Sequence, residues 1–165
     1  MKKTVLTFLL AMISLVILSQ TKNLPNVQIK NLQNKIINTQ DLFDGESLVI
    51  LSFWAVTCGP CIKELTAYNE NIPDWAEETG VKVIAISIDN SRNMSRVATT
   101  VNGRGWTNID FYLDPNQDFK RAMNVVMEPH TFLLDGNGNI LWQHTSYTEG
   151  DEYELYEVLI EKSGK

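Results

Sequence analysis

Cysteine and histidine are scarce in this sequence, with two of each in 165 residues, and proline occurs five times. Two cysteines cannot build the disulfide framework of a small secreted scaffold, and a chain this long needs none to bury its core. A structural zinc wants four ligands, and only His130 and His144 could join the single cysteine pair. Positive charge is also short: 14 Lys and Arg stand against 20 Asp and Glu, a net charge of −6. That balance argues against nucleic acid or anionic lipid as a partner. The chain has no internal repeat, no low-complexity linker, no phosphate-binding glycine loop, no Ser/His/Asp constellation and no paired-carboxylate site. Asp135, Asn137 and Asn139 imitate the start of a calcium loop. However, Ile140 stands where Gly is needed and Ser146 where the closing Glu belongs, so the segment reads as a hairpin turn.

Long apolar runs are limited to one. Val5 to Leu18 is almost wholly apolar, yet shorter than the roughly 20 residues a spanning helix needs. Lys2 and Lys3 precede it, and Ser19 to Lys22 turn polar. This is the layout of a secretory signal peptide over residues 1–19, with an uncleaved membrane anchor as the alternative. No cysteine lies near the cut, which excludes a lipid-modified one. The expected address is therefore exported, periplasmic or extracytoplasmic, with membrane contact only through this segment if it is retained. Residues 20–26 read as a leader and 27–165 as one domain.

Within that domain, Val27–Lys30 and Lys35–Asn38 read as two short strands around a polar turn, and Asp41–Gly45 as a turn. Leu48–Trp54 is an apolar run broken only by Ser52, which suits a strand buried on both faces. The segment after Cys58 is helical, because Leu65, Tyr68, Ile72 and Trp75 recur at three- and four-residue steps; Pro73 is expected to kink or interrupt it. Val81–Ile88 is a second buried strand. Ser91–Val101 is a helix that Asn90 or Ser91 could cap. Asn108–Leu113 is a strand and Gln117–Met123 a short helix. Thr131–Leu134 and Asn139–His144 form a hairpin, and Glu149–Glu161 a closing helix with Leu155, Val158 and Leu159 inward. The alternation predicts parallel strands with crossover helices, extended by antiparallel hairpins. The fold class is α/β: a mixed sheet with helices on both faces and an N-terminal β-hairpin extension. Trp75, Trp106 and Trp142 read as core or half-buried packing.

The chemistry lies in Trp54-Ala55-Val56-Thr57-Cys58-Gly59-Pro60-Cys61. A nucleophilic thiol must be a thiolate, and a helix start offers free N–H groups and a favourable dipole for that charge. Cys58 would sit at this start, exposed, with Cys61 one turn on and more buried. Gly59 would let the chain turn tightly, and Pro60 suits a first helical turn. A bridge between residues three apart constrains the unfolded chain little, so the pair serves chemistry better than stability. Half of a zinc site and an inert bridge are the rival readings.

The motif, with Glu64 and with Pro129-His130-Thr131-Phe132 before a strand, resembles the thioredoxin superfamily, and the whole exported domain resembles its TlpA/ResA-like branch. The resemblance implies that Cys58 attacks, Cys61 resolves, and Pro129 is a cis proline packed against the pair that helps dock the substrate. It also implies that Glu64 is a buried acid able to relay a proton from Cys61, its pKa raised by burial. Trp54, Gly59, Pro60 and Glu128 join Pro129 as substrate-docking candidates. Ser52 stands where thioredoxins carry a buried aspartate, as expected if Glu64 replaces that acid. Thr57 stands where many relatives carry Trp, which removes an aromatic contact surface. Glu128 stands where small or apolar residues are commoner, and a carboxylate facing the pair would make the dithiol a better reductant. His130 could tune local charge; His144 reads as structural or solvent-facing.

The expected activity is that of an extracytoplasmic thiol–disulfide oxidoreductase acting as a reductant of protein disulfides. Its substrates would be exported proteins, cytochromes c in maturation among them, with electrons from a membrane or periplasmic thiol donor. No flavin or metal cofactor is required. The alternatives are a thiol peroxidase on the same fold, which wants a lone peroxidatic cysteine, and a non-enzymatic metal- or polypeptide-binding module.

Overall fold

The structure, a computed structural model, describes residues 24–164, so the expected signal segment and most of the leader lie outside the described residues. Among these residues, seven strands form one sheet: β1 (Gln28–Asn31), β2 (Ile36–Asn38), β3 (Val49–Trp54), β4 (Lys82–Ser87), β5 (Asp110–Leu113), β6 (His130–Leu134) and β7 (Ile140–Thr145). The helices are α1 (Gly59–Thr79), α2 (Met94–Arg104), α3 (Asp118–Ala122) and α4 (Asp151–Ser163). The strand order is β2-β1-β5-β4-β3-β6-β7. β3 runs parallel to β4 and β4 to β5, as crossover helices require, while both hairpins add antiparallel strands.

β3 is an interior strand, between β4 and β6, and is buried at every position. Its alternation feeds two cores. Ile50 and Trp54 face one, with Leu65, Tyr68, Ile72 and Trp75 of α1, Val97 and Val101 of α2, and Leu155 and Leu159 of α4. Val49, Leu51 and Phe53 face the other, with Phe119 of α3, Met123 and Phe132. Helices therefore cover both faces, and the fold class expected from the sequence holds. Trp75 and Trp106 are buried and Trp142 half-buried. The Asp135–Asn139 turn is a hairpin turn: Asp135 accepts N–H bonds from Asn137 and Asn139 through its Oδ1.

Several expectations need correction. Pro73 does not interrupt α1, which continues to Thr79. A proline removes the N–H that would bond the carbonyl four residues back. That carbonyl belongs to Asn69, and it accepts instead from Asn108 Nδ2 at 2.9 Å, while the Asn108 N–H bonds Asn69 Oδ1 at 3.0 Å. α2 starts at Met94 rather than Ser91, because Asn90 spends its side chain on the Arg92 N–H and its carbonyl on Asn93 in a preceding turn. A short 3-10 helix, Thr39–Leu42, overlaps the turn expected at Asp41–Gly45; Thr39 is fully buried there, bonded to Val27 and Pro25.

Candidate active site

The site forms where β3 ends and α1 begins. The chain leaves Trp54, turns through a Cys58 N–H bond to the Ala55 carbonyl, and enters α1 with Cys58 as its N-cap. The Cys58 sulfur accepts the Cys61 N–H at 3.2 Å, one of the orphan donors of the helix start. Pro60 occupies the first turn, where its missing N–H costs nothing. Cys58 is half-buried, whereas Cys61 is 0% exposed and packed with Trp54, Leu65 and Tyr68. The two are joined in a disulfide with Cα atoms 5.3 Å apart. Cys58 is therefore partly accessible to a partner and Cys61 shielded, the asymmetry that separates an attacking from a resolving thiol.

One turn beyond Cys61, Glu64 is 1% exposed. Its carboxylate accepts from three hydroxyls: Ser52 Oγ at 2.6 Å, Thr131 Oγ1 at 2.8 Å and Tyr68 Oη at 3.2 Å. Burial pushes its pKa up to about 7, against the opposing pull of those three hydrogen bonds. Each hydroxyl can rotate from donating to accepting, so both protonation states find partners without moving the backbone. An acid titrating near neutrality, held by switchable partners, suits proton exchange.

β6 supplies the third part. His130 pairs with Phe53 and Thr131 with Ser52, so Pro129 lies at the end of β6 level with the end of β3. The Glu128–Pro129 bond is cis, and Pro129 is buried with its carbonyl bonded to the Ser146 N–H at 2.8 Å. His130 stacks on Phe132 and its Nδ1 meets Thr145 Oγ1 at 3.1 Å; His144 stacks on Trp142 and lies 3.5 Å from Asp151. A hollow of about 440 Å³ adjoins the motif, lined by Gly59, Pro60, Lys63, Tyr147, Thr148 and Glu149.

Residues 21–143 match the AhpC/TSA family, well over half of the sequence. The chain belongs to that family. Among solved structures, this AhpC/TSA member is similar to a thioredoxin-like protein from Porphyromonas gingivalis. The two are 44% identical with a TM-score of 0.75, over 86% of this chain and 94% of the other. Among curated proteins it is 28% identical over 126 residues to a thiol:disulfide interchange protein DsbE of Vibrio cholerae, covering 73% of this chain and 64% of that protein. It is 29% identical over 93 residues to a thiol-disulfide oxidoreductase ResA of Geobacillus kaustophilus, covering 56% and 51%. The matches thus span half to two thirds of those relatives' length.

Set on this AhpC/TSA scaffold, three of the sequence-derived assignments change. Trp54 is 0% exposed and packs edge-on against Trp106 and Phe111, so it is a core residue and not a docking surface. Gly59 has no left-handed backbone, and an added Cβ there would meet nothing within 4 Å; no tight turn demands it, and its bareness simply leaves the approach to the disulfide open. Glu128 pairs with Lys120 Nζ of α3 at 3.2 Å, both side chains being largely buried. The unbalanced carboxylate on which the reducing argument from Glu128 rested is therefore absent. Tyr68 and Thr131, which complete the Glu64 site, were not singled out for it from sequence. Tyr68 read as one apolar position among four, and Thr131 reaches Glu64 only because β6 pairs with β3.

Proposed function

We propose that this protein is a thiol–disulfide oxidoreductase that reduces protein disulfides. Cys58 attacks a substrate disulfide, forming a mixed disulfide and releasing one substrate thiol. Cys61 then displaces the second substrate sulfur, leaving the Cys58–Cys61 disulfide and a fully reduced substrate. The observation that carries the reading is the half-buried Cys58, its sulfur capping a helix, with the shielded Cys61 one turn behind it. Glu64 takes the Cys61 proton as that thiol becomes nucleophilic. The reducing direction is supported by the same group. An ionised Glu64 buried on the Cys61 face of α1 disfavours a second negative charge there, which destabilises the dithiolate relative to the disulfide. Pro129, Glu128, Gly59 and Pro60 frame the approach for the substrate chain.

We further propose export by residues 1–19 as a signal segment or anchor, with exported disulfide proteins as substrates and a membrane or periplasmic thiol donor restoring the dithiol. Among the described residues no helix is long and apolar enough to cross a membrane. The test is insulin reduction with a dithiol donor. Cys58→Ser abolishes turnover, and Cys61→Ser accumulates a mixed disulfide with the substrate through Cys58. Undiminished reduction by Cys58→Ser removes the reading. A rapid consumption of hydrogen peroxide without insulin reduction would replace it with a peroxidase.

A further inference from the structure

The four residues between β3 and α1 carry Cys58 to its place, and their backbone is pinned from β4. Trp54 gives its carbonyl to the Ile88 N–H at 2.9 Å, and Ala55 gives its carbonyl to Cys58 at 3.0 Å. Between them, the Val56 N–H points the other way and donates to Asp89 Oδ2 at 2.9 Å, a contact spanning 33 residues of sequence. Asp89 is buried, and Ser87 holds it: Ser87 Oγ donates to the same Oδ2 at 2.9 Å and accepts the Asp89 N–H at 3.2 Å. Ser87 is itself fully buried and pairs with Trp54 in the parallel ladder. A carboxylate oxygen is thus fixed at the end of β4 with one loop amide as its long-range partner. Charge-assisted bonds of this kind are about twice as strong as neutral ones, and this one acts two residues before the reacting sulfur.

We propose that Asp89 is a positioning residue for Cys58, clamping the Val56 amide so that the Cys58 sulfur stays seated on the Cys61 N–H at the start of α1. Its role follows from the reading of Cys58 as the attacking sulfur. Without the clamp, Val56 and Thr57 lose their fixed course. The cysteine then samples positions away from the helix start, where its thiolate is less stabilised. Asn in place of Asp keeps an acceptor oxygen for Val56; Ala keeps none.

The full chain is reduced, and alkylation of Cys58 by iodoacetamide, located by peptide mass, is timed for wild type, Asp89→Asn and Asp89→Ala. Asp89→Asn is expected within about threefold of wild type and Asp89→Ala slower by about tenfold, since a sulfur that leaves the helix start loses thiolate stabilisation and its reactive fraction falls. A loss of stability alone would move the melting temperature and leave the alkylation rate unchanged. Wild-type rates in Asp89→Ala, or an Asp89→Asn rate as slow as that of Ala, overturn the proposal. Hydrogen exchange in the wild-type protein gives a second check, independent of whether the Ala variant folds. The Val56 amide is expected to be protected in both redox states, and fast exchange in either overturns the clamp. Alkylation needs a thiol and no partner, so a failure of insulin reduction with the clamp intact would count against the proposed function alone.

Discussion

At the residue scale the decisive group is Glu64. Burying a carboxyl favours its neutral form, so the folded protein holds the Glu64 proton up to about pH 7, whereas the unfolded chain releases it near the ordinary glutamate value of 4.5. Between those values the native state binds more protons than the unfolded one, so stability falls as pH rises. The window of about two and a half pH units corresponds to roughly 3 kcal/mol. Glu64→Gln removes this titration, so urea midpoints of the oxidised variant should not show the component of decline between pH 4.5 and 7 that wild type shows. Parallel curves for the two proteins would mean that Glu64 does not titrate as a buried acid. The sequence made Glu64 visible through its place three residues after Cys61, and made Cys58 and Cys61 visible through their spacing. It did not make visible the Lys120 that balances Glu128, or Thr131 as a partner of Glu64. Those contacts join segments whose pairing no local pattern specifies.

At the scale of elements, the apolar runs, the turn residues and the helical spacing of apolar positions located nearly every strand and helix, because a strand feeding two cores must be apolar on both faces. Pro73 shows where that reasoning stops. The local rule predicts a break. The helix continues because Asn108, from the segment before β5, takes the carbonyl that the proline leaves free. A double-mutant cycle measures this compensation. Asn108→Ala alone should cost about 1 kcal/mol, the net worth of a typical hydrogen bond. Pro73→Ala restores the helical N–H and should stabilise, by up to about 3 kcal/mol. In the Pro73→Ala background the Asn108 change should then cost less, since Asn69 has its helical donor back. Additive effects would show that Asn108 holds α1 by packing and not by supplying the missing donor. Alkylation of Cys58 should be unchanged throughout, because Pro73 lies more than three turns along α1 from the disulfide.

At the scale of the whole molecule, fold and redox chemistry share one thermodynamic cycle. Its corners are the folded and unfolded chain, each oxidised or reduced. The difference in unfolding free energy between the oxidised and reduced proteins must equal the difference in disulfide stability between the folded and unfolded chain. A bridge across so short a loop restrains the unfolded chain by only about 2 kcal/mol in the chain-entropy account, so that contribution is small. What remains is the native environment: the helix start at Cys58 favours a thiolate and hence the reduced form, while the buried Glu64 on the Cys61 face disfavours it. If the protein works as a reductant, the second influence wins and folding favours the disulfide. The oxidised protein should then unfold at higher guanidinium concentration than the reduced one, each 1.4 kcal/mol of difference marking about 30 mV of potential. Glu64→Gln should narrow the gap at pH 8, where the carboxylate is ionised, and leave it nearly unchanged at pH 5, where Glu64 is already neutral. A reduced form more stable than the oxidised one would instead mark the pair as an oxidant. The cysteine chemistry would stand, but the electrons would flow from substrate to protein.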